Sequence, residues 1–182
     1  MAAAACVGGL LLGAVGCTAA PKSAPPSPTP TVAPIFASDE EALAAATEAY
    51  ANYLRVSDEI LMDGGENPER IQEFTSTELA KSEIEGYRDA QAQKFRSTGG
   101  STFSNLTLQS VAVDSGNREM VTAYVCSDVS VVDVLNEDGV SVVSPDRPDR
   151  TPFEITFELV DSRDPRLVVA SAEVWTGAGV CE

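Results

Sequence analysis

Apolar residues recur at helical spacing in the part of the chain that follows residue 37. Ser38 and Glu41 form a capping box, and the apolar positions after them repeat every three or four residues to about Leu61. This pattern predicts an amphipathic helix that ends at Gly64 and Gly65. Two more helices are predicted, one from the Asn67-Pro68 pair to about Phe74, and one from a Thr75 and Glu78 capping box to just before Gly99-Gly100.

After Gly100 the apolar period changes from 3.6 to 2, which is typical of strands. A one-residue slip at Ser110 indicates a bulge, Asn136–Gly139 predicts a hairpin turn, and the prolines of Ser144–Pro152 predict an exposed loop. The β-rich segments are Leu106–Val113, Met120–Leu135, Val140–Val143, Phe153–Leu159 and Leu167–Trp175, with further turns at Asp114–Asn117 and Asp161–Pro165. Because short turns join them, these strands must run antiparallel.

The order of elements predicts the fold class. Three helices followed by an antiparallel meander form an α+β plan, in which a curved sheet wraps the N-terminal helices. Residues 38–182 have the length of one domain with its own core, and the chain shows no internal repeat.

The first 17 residues predict an export signal. Met1 to Gly16 is apolar but shorter than the roughly 20 residues that span a bilayer. Small residues precede Cys17, an arrangement that resembles a bacterial lipoprotein signal, in which such a cysteine is lipidated and becomes the mature N-terminus. Two alternatives stay open: a secretory leader cut near Ala19 or Ala20, and a signal-anchor whose beginning is missing.

Residues 18–37 predict a tether. This segment holds six prolines and a single charge, Lys22, so it favours extended polyproline-like conformations and has too little apolar surface for a core. At roughly 3.1 Å per residue it would hold a domain several tens of ångströms from a membrane. The same composition also fits a disordered tail without a spacing role.

The charge of the chain excludes one class of partner. The formal net charge is -16, and Lys22 is the one charged residue before Ser38, so the remainder carries 11 basic and 28 acidic side chains. A surface of that sign repels phosphate backbones, and we expect no nucleic-acid binding. Solubility outside the cell is the simplest explanation of the acidity.

Two cysteines remain after the leader and Cys17. An even pair in an exported chain predicts a disulfide between Cys126 and Cys181. Closing a loop of about 55 residues would stabilise the fold by about 4 kcal/mol in the chain-entropy picture, and it would tie the last strand to the sheet. The wide spacing favours a structural bond over a catalytic dithiol.

The element order of residues 38–181 resembles the nuclear transport factor 2-like fold, the cone-shaped family that includes ketosteroid isomerase and the SnoaL-like cyclases. The C-terminal run from Ala172 to Cys181 is similar to secreted actinobacterial lipoproteins, which typically pair a C-terminal cysteine with one in the central strand. A cystatin-like arrangement is the nearest competitor, but cystatins usually carry a single main helix.

The resemblance implies that any active site lies inside the cone, where a carboxylate base works beside phenol donors in an apolar pocket. The carboxylate candidates are Asp128 and Asp133, and the phenol candidates are Tyr50, Tyr53, Tyr87 and Tyr124. Asp128 is the better candidate because strand alternation puts it on the same face as Tyr124. The simpler interpretation makes Asp128 a solvated group near the sheet edge and the tyrosines core residues with outward hydroxyls.

The residue inventory excludes several chemistries. Without a histidine the chain cannot use Ser-His-Asp or Cys-His mechanisms or histidine-based metal sites. It also lacks GxSxG, P-loop and GxGxxG motifs, so we expect no cofactor and no metal, with weak calcium binding at acidic pairs as an alternative.

These features together predict a lipid-anchored module on the extracytoplasmic face of the cell membrane. Our first hypothesis is a non-enzymatic binding or scaffolding module of the cell envelope, whose partner is an envelope protein or a small apolar ligand. The alternative is an isomerase or cyclase that uses a carboxylate in the cone. A purely structural envelope role is not separable from the first hypothesis by sequence.

Overall fold

A computed structural model of the chain describes residues 36–114, 118–161 and 164–182, with the side chains of 161, 164 and 165 left aside. The expectations for the leader, for Cys17 and for the tether up to residue 35 lie outside the described residues. So do parts of the two predicted turns, at 115–117 and 162–163. Within the described part of the chain, no helix is long and apolar enough to cross a bilayer.

Helix α1, Asp39–Met62, begins where the capping box predicted. The Ser38 hydroxyl accepts a hydrogen bond from the Glu41 amide at 3.3 Å, while the Glu41 carboxylate accepts one from the Ala37 amide at 2.7 Å. The helix ends before Gly64 and Gly65, both of which have positive φ. At Gly65 a side chain would collide with the carbonyl oxygen of Tyr87, so only glycine fits there.

A 3₁₀ helix, Pro68–Glu73, and helix α2, Thr77–Ala92, follow. The predicted cap of α2 was wrong by one residue. Ser76, and not Thr75, caps the helix by accepting from the Leu79 amide at 3.1 Å. Thr75 instead donates its hydroxyl to the Ile71 carbonyl at 3.0 Å, and its backbone pairs with the last strand of the sheet.

The described residues contain six strands after these helices: β1 Arg96–Thr98, β2 Thr102–Val113, β3 Glu119–Asp128, β4 Asp133–Leu135, β5 Arg150–Asp161 and β6 Asp164–Val174. The main sheet is antiparallel throughout in the order β2-β3-β5-β6, and β1 and β4 form a separate two-stranded sheet. The α+β prediction, with N-terminal helices packed against a curved antiparallel sheet, is confirmed.

Three details of the strand prediction were settled by local hydrogen bonding. The long predicted strand from Met120 to Leu135 was wrong, because a turn closed by a 3.0 Å bond from the Val132 amide to the Val129 carbonyl separates β3 from β4. Strand β1 was not predicted, since α2 ends earlier than expected. The hairpin turn at Asn136–Gly139 and the bulge beside Ser110 are confirmed.

The core lies between α1 and one face of the main sheet, called here the inner face. Three alanines of α1 are almost fully buried, so the helix approaches the sheet closely. They pack with the residues that point inward from β3, β5 and β6, as strand alternation requires. The core residues are Ala42, Ala46, Ala49 and Tyr50 from α1, and Val121, Ala123, Val125, Ile155, Phe157, Leu167 and Val169 from the sheet.

The corrected helix cap gives a first testable prediction. Ser76→Ala should destabilise the fold by about 1 kcal/mol in urea denaturation, because it removes the acceptor for the Leu79 amide. Ser82→Ala, at an exposed position inside α2, is the control and should change stability little or raise it slightly. Equal stabilities of the two variants would contradict the assignment of Ser76 as the cap.

Candidate functional site

Side chains fill the space between α1 and the inner face of the sheet. Phe157 and Ile155 are fully buried, and the Tyr50 ring, 3% exposed, packs edge-on against Phe103 with 5.0 Å between ring centroids. Burial raises the pKa of Tyr50 to about 12. The inner face beneath α1 is thus packed with apolar side chains around the Tyr50 phenol.

The other two helix tyrosines connect helices. The Tyr53 hydroxyl donates to the Glu83 carboxylate at 2.9 Å, and the Tyr87 hydroxyl bonds to the Ser57 hydroxyl at 2.9 Å. Burial is the main cause that raises the pKa of both phenols, and the Glu83 charge adds to it. These contacts fit the interpretation of the tyrosines as core residues whose hydroxyls are satisfied.

Asp128 lies on the opposite, outer face of the sheet, as alternation along β3 requires. Its carboxylate accepts a hydrogen bond from the Ser130 amide at 2.9 Å and lies 3.8 Å from the Arg150 guanidinium. The hydrogen bonds from Ser130, and to a smaller extent the Arg150 charge, lower the pKa of Asp128. A general base would need a pKa raised toward neutrality, so these contacts make Asp128 the cap of the turn that ends β3.

The structure does not gather the other candidates around Asp128. Asp133 lies on β4, outside the main sheet, where it accepts from the Ser141 hydroxyl at 2.6 Å and from the Val134 amide at 2.8 Å. Tyr124 shares the outer face with Asp128, as predicted, but its ring packs against Trp175 with 4.5 Å between centroids. The sheet therefore separates Asp128 from the three helix tyrosines. Asp133 lies on β4, which is not part of that sheet.

A C-terminal segment lies on the outer face of the sheet. The sequence predicted its disulfide but not its path. Residues 175–182, called here the C-terminal strap, cross it from β6 toward β2. The Trp175 amide donates to the Pro152 carbonyl at 2.9 Å, and the Asn105 side chain donates to the Val180 carbonyl at 3.2 Å. Cys181 forms the predicted disulfide with Cys126 of β3, which confirms that pairing.

Close packing holds the strap at its start. A Cβ atom on Gly177 would lie 2.5 Å from the indole nitrogen of Trp175, so the backbone passes directly against the ring. The Trp175 ring in turn packs on Tyr124. In the sequence, the C-terminal glycines and Trp175 are the signal for a close-packed segment after β6. The position of that segment on the sheet follows from the bond between Cys181 and Cys126.

Surface grooves flank α1. One of about 380 Å³ lies between α1 and the start of β2, with Leu54, Asp58 and Phe103 in its lining, and two smaller ones have about 290 Å³ each. One of the two smaller grooves lies between α1 and β6, with Phe74 and Leu167 in its wall and Arg166 at its rim. The other lies between the start of α1 and β2; its lining includes Leu43, Leu108 and Val111 together with the acidic residues Asp39 and Glu40. In the part of the chain that the structure describes, no three acidic or cysteine side chains come together as a metal site would require.

Comparisons with known proteins bear on the fold alone. The chain resembles the intermembrane space region of the chloroplast protein ARC6, with a TM-score of 0.52 and 11% identity over 74% of this chain and 97% of that one. Weaker matches are a periplasmic fragment of TraM (TM-score 0.48, 15% identity, 76% and 98% coverage) and ActVI-ORFA from Streptomyces coelicolor (0.37, 15%, 72% and 92%). No protein-family model and no curated protein matches the sequence.

The buried phenols predict a delayed alkaline titration. Because their pKa values are raised, the folded chain keeps these protons above pH 10 while the unfolded chain has released them. The stability that they contribute is complete below pH 10 and is lost as the pH rises toward 12 and beyond. Absorbance at 295 nm should therefore rise later in the native chain than in urea. Ionisation below pH 10 of Tyr50, the phenol between α1 and the sheet, would contradict a filled interior.

The bond between Cys126 and Cys181 should raise the melting temperature of the domain. Reduction should lower the melting temperature, because it frees the chain end and restores the entropy of a loop of about 55 residues, worth up to about 4 kcal/mol. The double variant Cys126→Ala with Cys181→Ala should melt low with or without reductant, which controls for other effects of the reagent. An unchanged melting temperature of the natural chain under reductant would show that the bond contributes nothing.

Proposed function

We propose that this protein is a lipoprotein of actinobacterial type, anchored through Cys17 on the extracytoplasmic face of the cell membrane. Its domain, of the nuclear transport factor 2-like fold, acts as a non-enzymatic binding or scaffolding module of the cell envelope. One observation carries the non-enzymatic part of this proposal: the inner face of the sheet is filled by α1 and by apolar side chains.

The proposed location is supported by the leader, by the tether and by the disulfide. Disulfides persist in oxidising compartments outside the cytoplasm, and the bond between Cys126 and Cys181 joins two parts of the fold that are far apart in sequence. The fold shared with the intermembrane space region of ARC6 is compatible with a place outside the cytoplasm. Residues 18–37 would then separate the domain from the lipid surface.

The filled interior also bears on the kind of partner. A small apolar ligand needs an enclosed cavity that buries most of its surface, and the three grooves beside α1 are surface features. A protein partner can use an exposed surface instead. An envelope protein is therefore the partner that we propose, in preference to a small ligand.

Removal of the lipidation residue tests the anchor. Cys17→Ser should shift the protein from the membrane fraction to the soluble extracytoplasmic fraction or the medium, because the thioether-linked lipid can no longer form. Cys6→Ser, which changes a cysteine inside the leader, is the matched control and should leave the protein in the membrane. Persistence of the Cys17→Ser variant in the membrane fraction would indicate a retained hydrophobic segment and contradict lipid anchoring.

Chemical cross-linking in intact cells tests the binding role. The anchored chain should form a discrete covalent adduct with one envelope protein, and the Cys17→Ser variant should lose most of it through lower local concentration. Absence of any discrete adduct, with the anchored chain present at normal levels, would contradict a binding or scaffolding module.

A further inference from the structure

The two edges of the main sheet differ in the backbone segments that pair with them. The edge of β6 is covered by the segment that enters α2: the Ser76 amide donates to the Val169 carbonyl at 2.8 Å, and the Val169 amide donates to the Phe74 carbonyl at 3.0 Å. Strand β2, at the other edge, pairs with β3 on one side, and no described strand pairs with its other side. The β6 edge is therefore occupied around Val169, whereas the β2 edge, called here the open edge, has no described partner strand.

The last part of the open edge lacks the protection that edge strands usually carry. Natural proteins block such edges with charged side chains, prolines or bulges. Strand β2, with the sequence TFSNLTLQSVAV, contains no charged residue and no proline, although 22% of the whole chain is charged. Its two bulges lie at Ser104–Thr107 and Leu108–Ser110, so the stretch Ser110–Val113 pairs regularly with β3 and is unprotected.

The groove between the start of α1 and β2 adjoins the first half of this stretch, at Ser110 and Val111. Val111 pairs with the core residue Val121 and therefore lies on the inner side of the sheet, where it lines the groove with Leu43 of α1. Val111 is 38% exposed and Val113 is 52% exposed. A strand added to β2 would place every second side chain over this groove, because side chains alternate across a sheet.

The charge of the groove selects the occupant. Asp39 and Glu40, in the first turn of α1, line it, and the domain as a whole is strongly acidic. A second copy of the chain would bring its own acidic groove to the same edge, and like charges repel. A segment with basic side chains would instead be attracted, with the faster association that complementary charge gives.

We propose that Ser110–Val113 and the adjoining groove bind an extended, basic segment of a partner protein, which adds to the sheet as a fifth strand beside β2. Backbone hydrogen bonds to the open edge supply the affinity, and basic side chains over Asp39 and Glu40 supply the specificity. This proposal rests on the proposed function as a binding module, and it names the surface and the chemistry of the partner.

A peptide titration tests the proposal. The probe is a fluorescein-labelled eight-residue peptide of alternating lysine and valine, added to the full-length chain and followed by fluorescence anisotropy. We expect saturable binding that weakens as salt is raised, because part of the attraction is between exposed charges. The same peptide with alternate backbone amides methylated should not bind, since methylation removes the donors that strand addition requires while it keeps the charge.

Paired variants locate the site. Val113→Lys should weaken binding at least tenfold, whereas Val174→Lys, which makes the same change at an exposed valine of the β6 edge, should change it less than twofold. The double variant Asp39→Asn with Glu40→Gln should also weaken it at least tenfold. Glu78→Gln with Glu85→Gln, which removes the same charge from exposed positions of α2, is the control and should change it less than twofold.

Four results would overturn the proposal. Equal weakening by each variant and its control, or undiminished binding of the methylated peptide, would show a diffuse charge effect. Absence of binding to the natural chain would show that the edge does not accept a basic strand. A dimer of the natural chain in light scattering, lost in Val113→Lys, would assign the edge to a second copy.

Cross-linking of the Val113→Lys variant in intact cells separates this proposal from the proposed function. We expect the variant to lose the envelope adduct that the natural chain forms. An adduct that persists in Val113→Lys would leave the binding module standing and reject the β2 edge. Absence of the adduct in the natural chain would reject the proposed function itself.

Discussion

The packing of α1 on the inner face of the sheet is the interaction on which the rest of the structure depends. Alanines at positions 42, 46 and 49 let the helix backbone approach the sheet, and the larger Tyr50 fills the space toward Phe103. Because α1 packs this closely, its side chains and those of the sheet form one close-packed core. Beside this core, the Tyr53 and Tyr87 hydroxyls form hydrogen bonds between α1 and α2.

Two other segments of the chain cover parts of the surface of the main sheet. The outer face of the sheet is crossed by the C-terminal strap, which the disulfide at Cys126 fastens near the middle of the sheet. The β6 edge is closed by the residues that lead into α2. The β2 edge at Ser110–Val113 is covered by neither the strap nor the α2 segment, and the acidic groove adjoins it. Under our proposal a partner strand adds there.

The sequence predicted the architecture well because the architecture depends on local periodicity. The change of period after Gly100, the Ser38 cap and the two cysteines each have one simple physical interpretation. The errors came from tertiary contacts that override local signals. Thr75 satisfies a capping pattern but is drawn into pairing with Val169, and the β-rich run after Met120 is broken because Asp128 caps a turn. The candidate site was predicted less well, since alternation placed Asp128 with Tyr124 but did not reveal that α1 lies against the opposite face.

The central claim, that α1 and apolar side chains fill the inner face of the sheet beneath the helix, can be measured directly through Ala46→Leu. Ala46 is fully buried in the core, so the larger side chain has no room and must displace its neighbours. The account predicts that urea denaturation of this variant shows a loss of about 1–3 kcal/mol in the free energy of unfolding. An unchanged or increased stability would mean that the leucine fills an existing cavity, and it would contradict the filled interior.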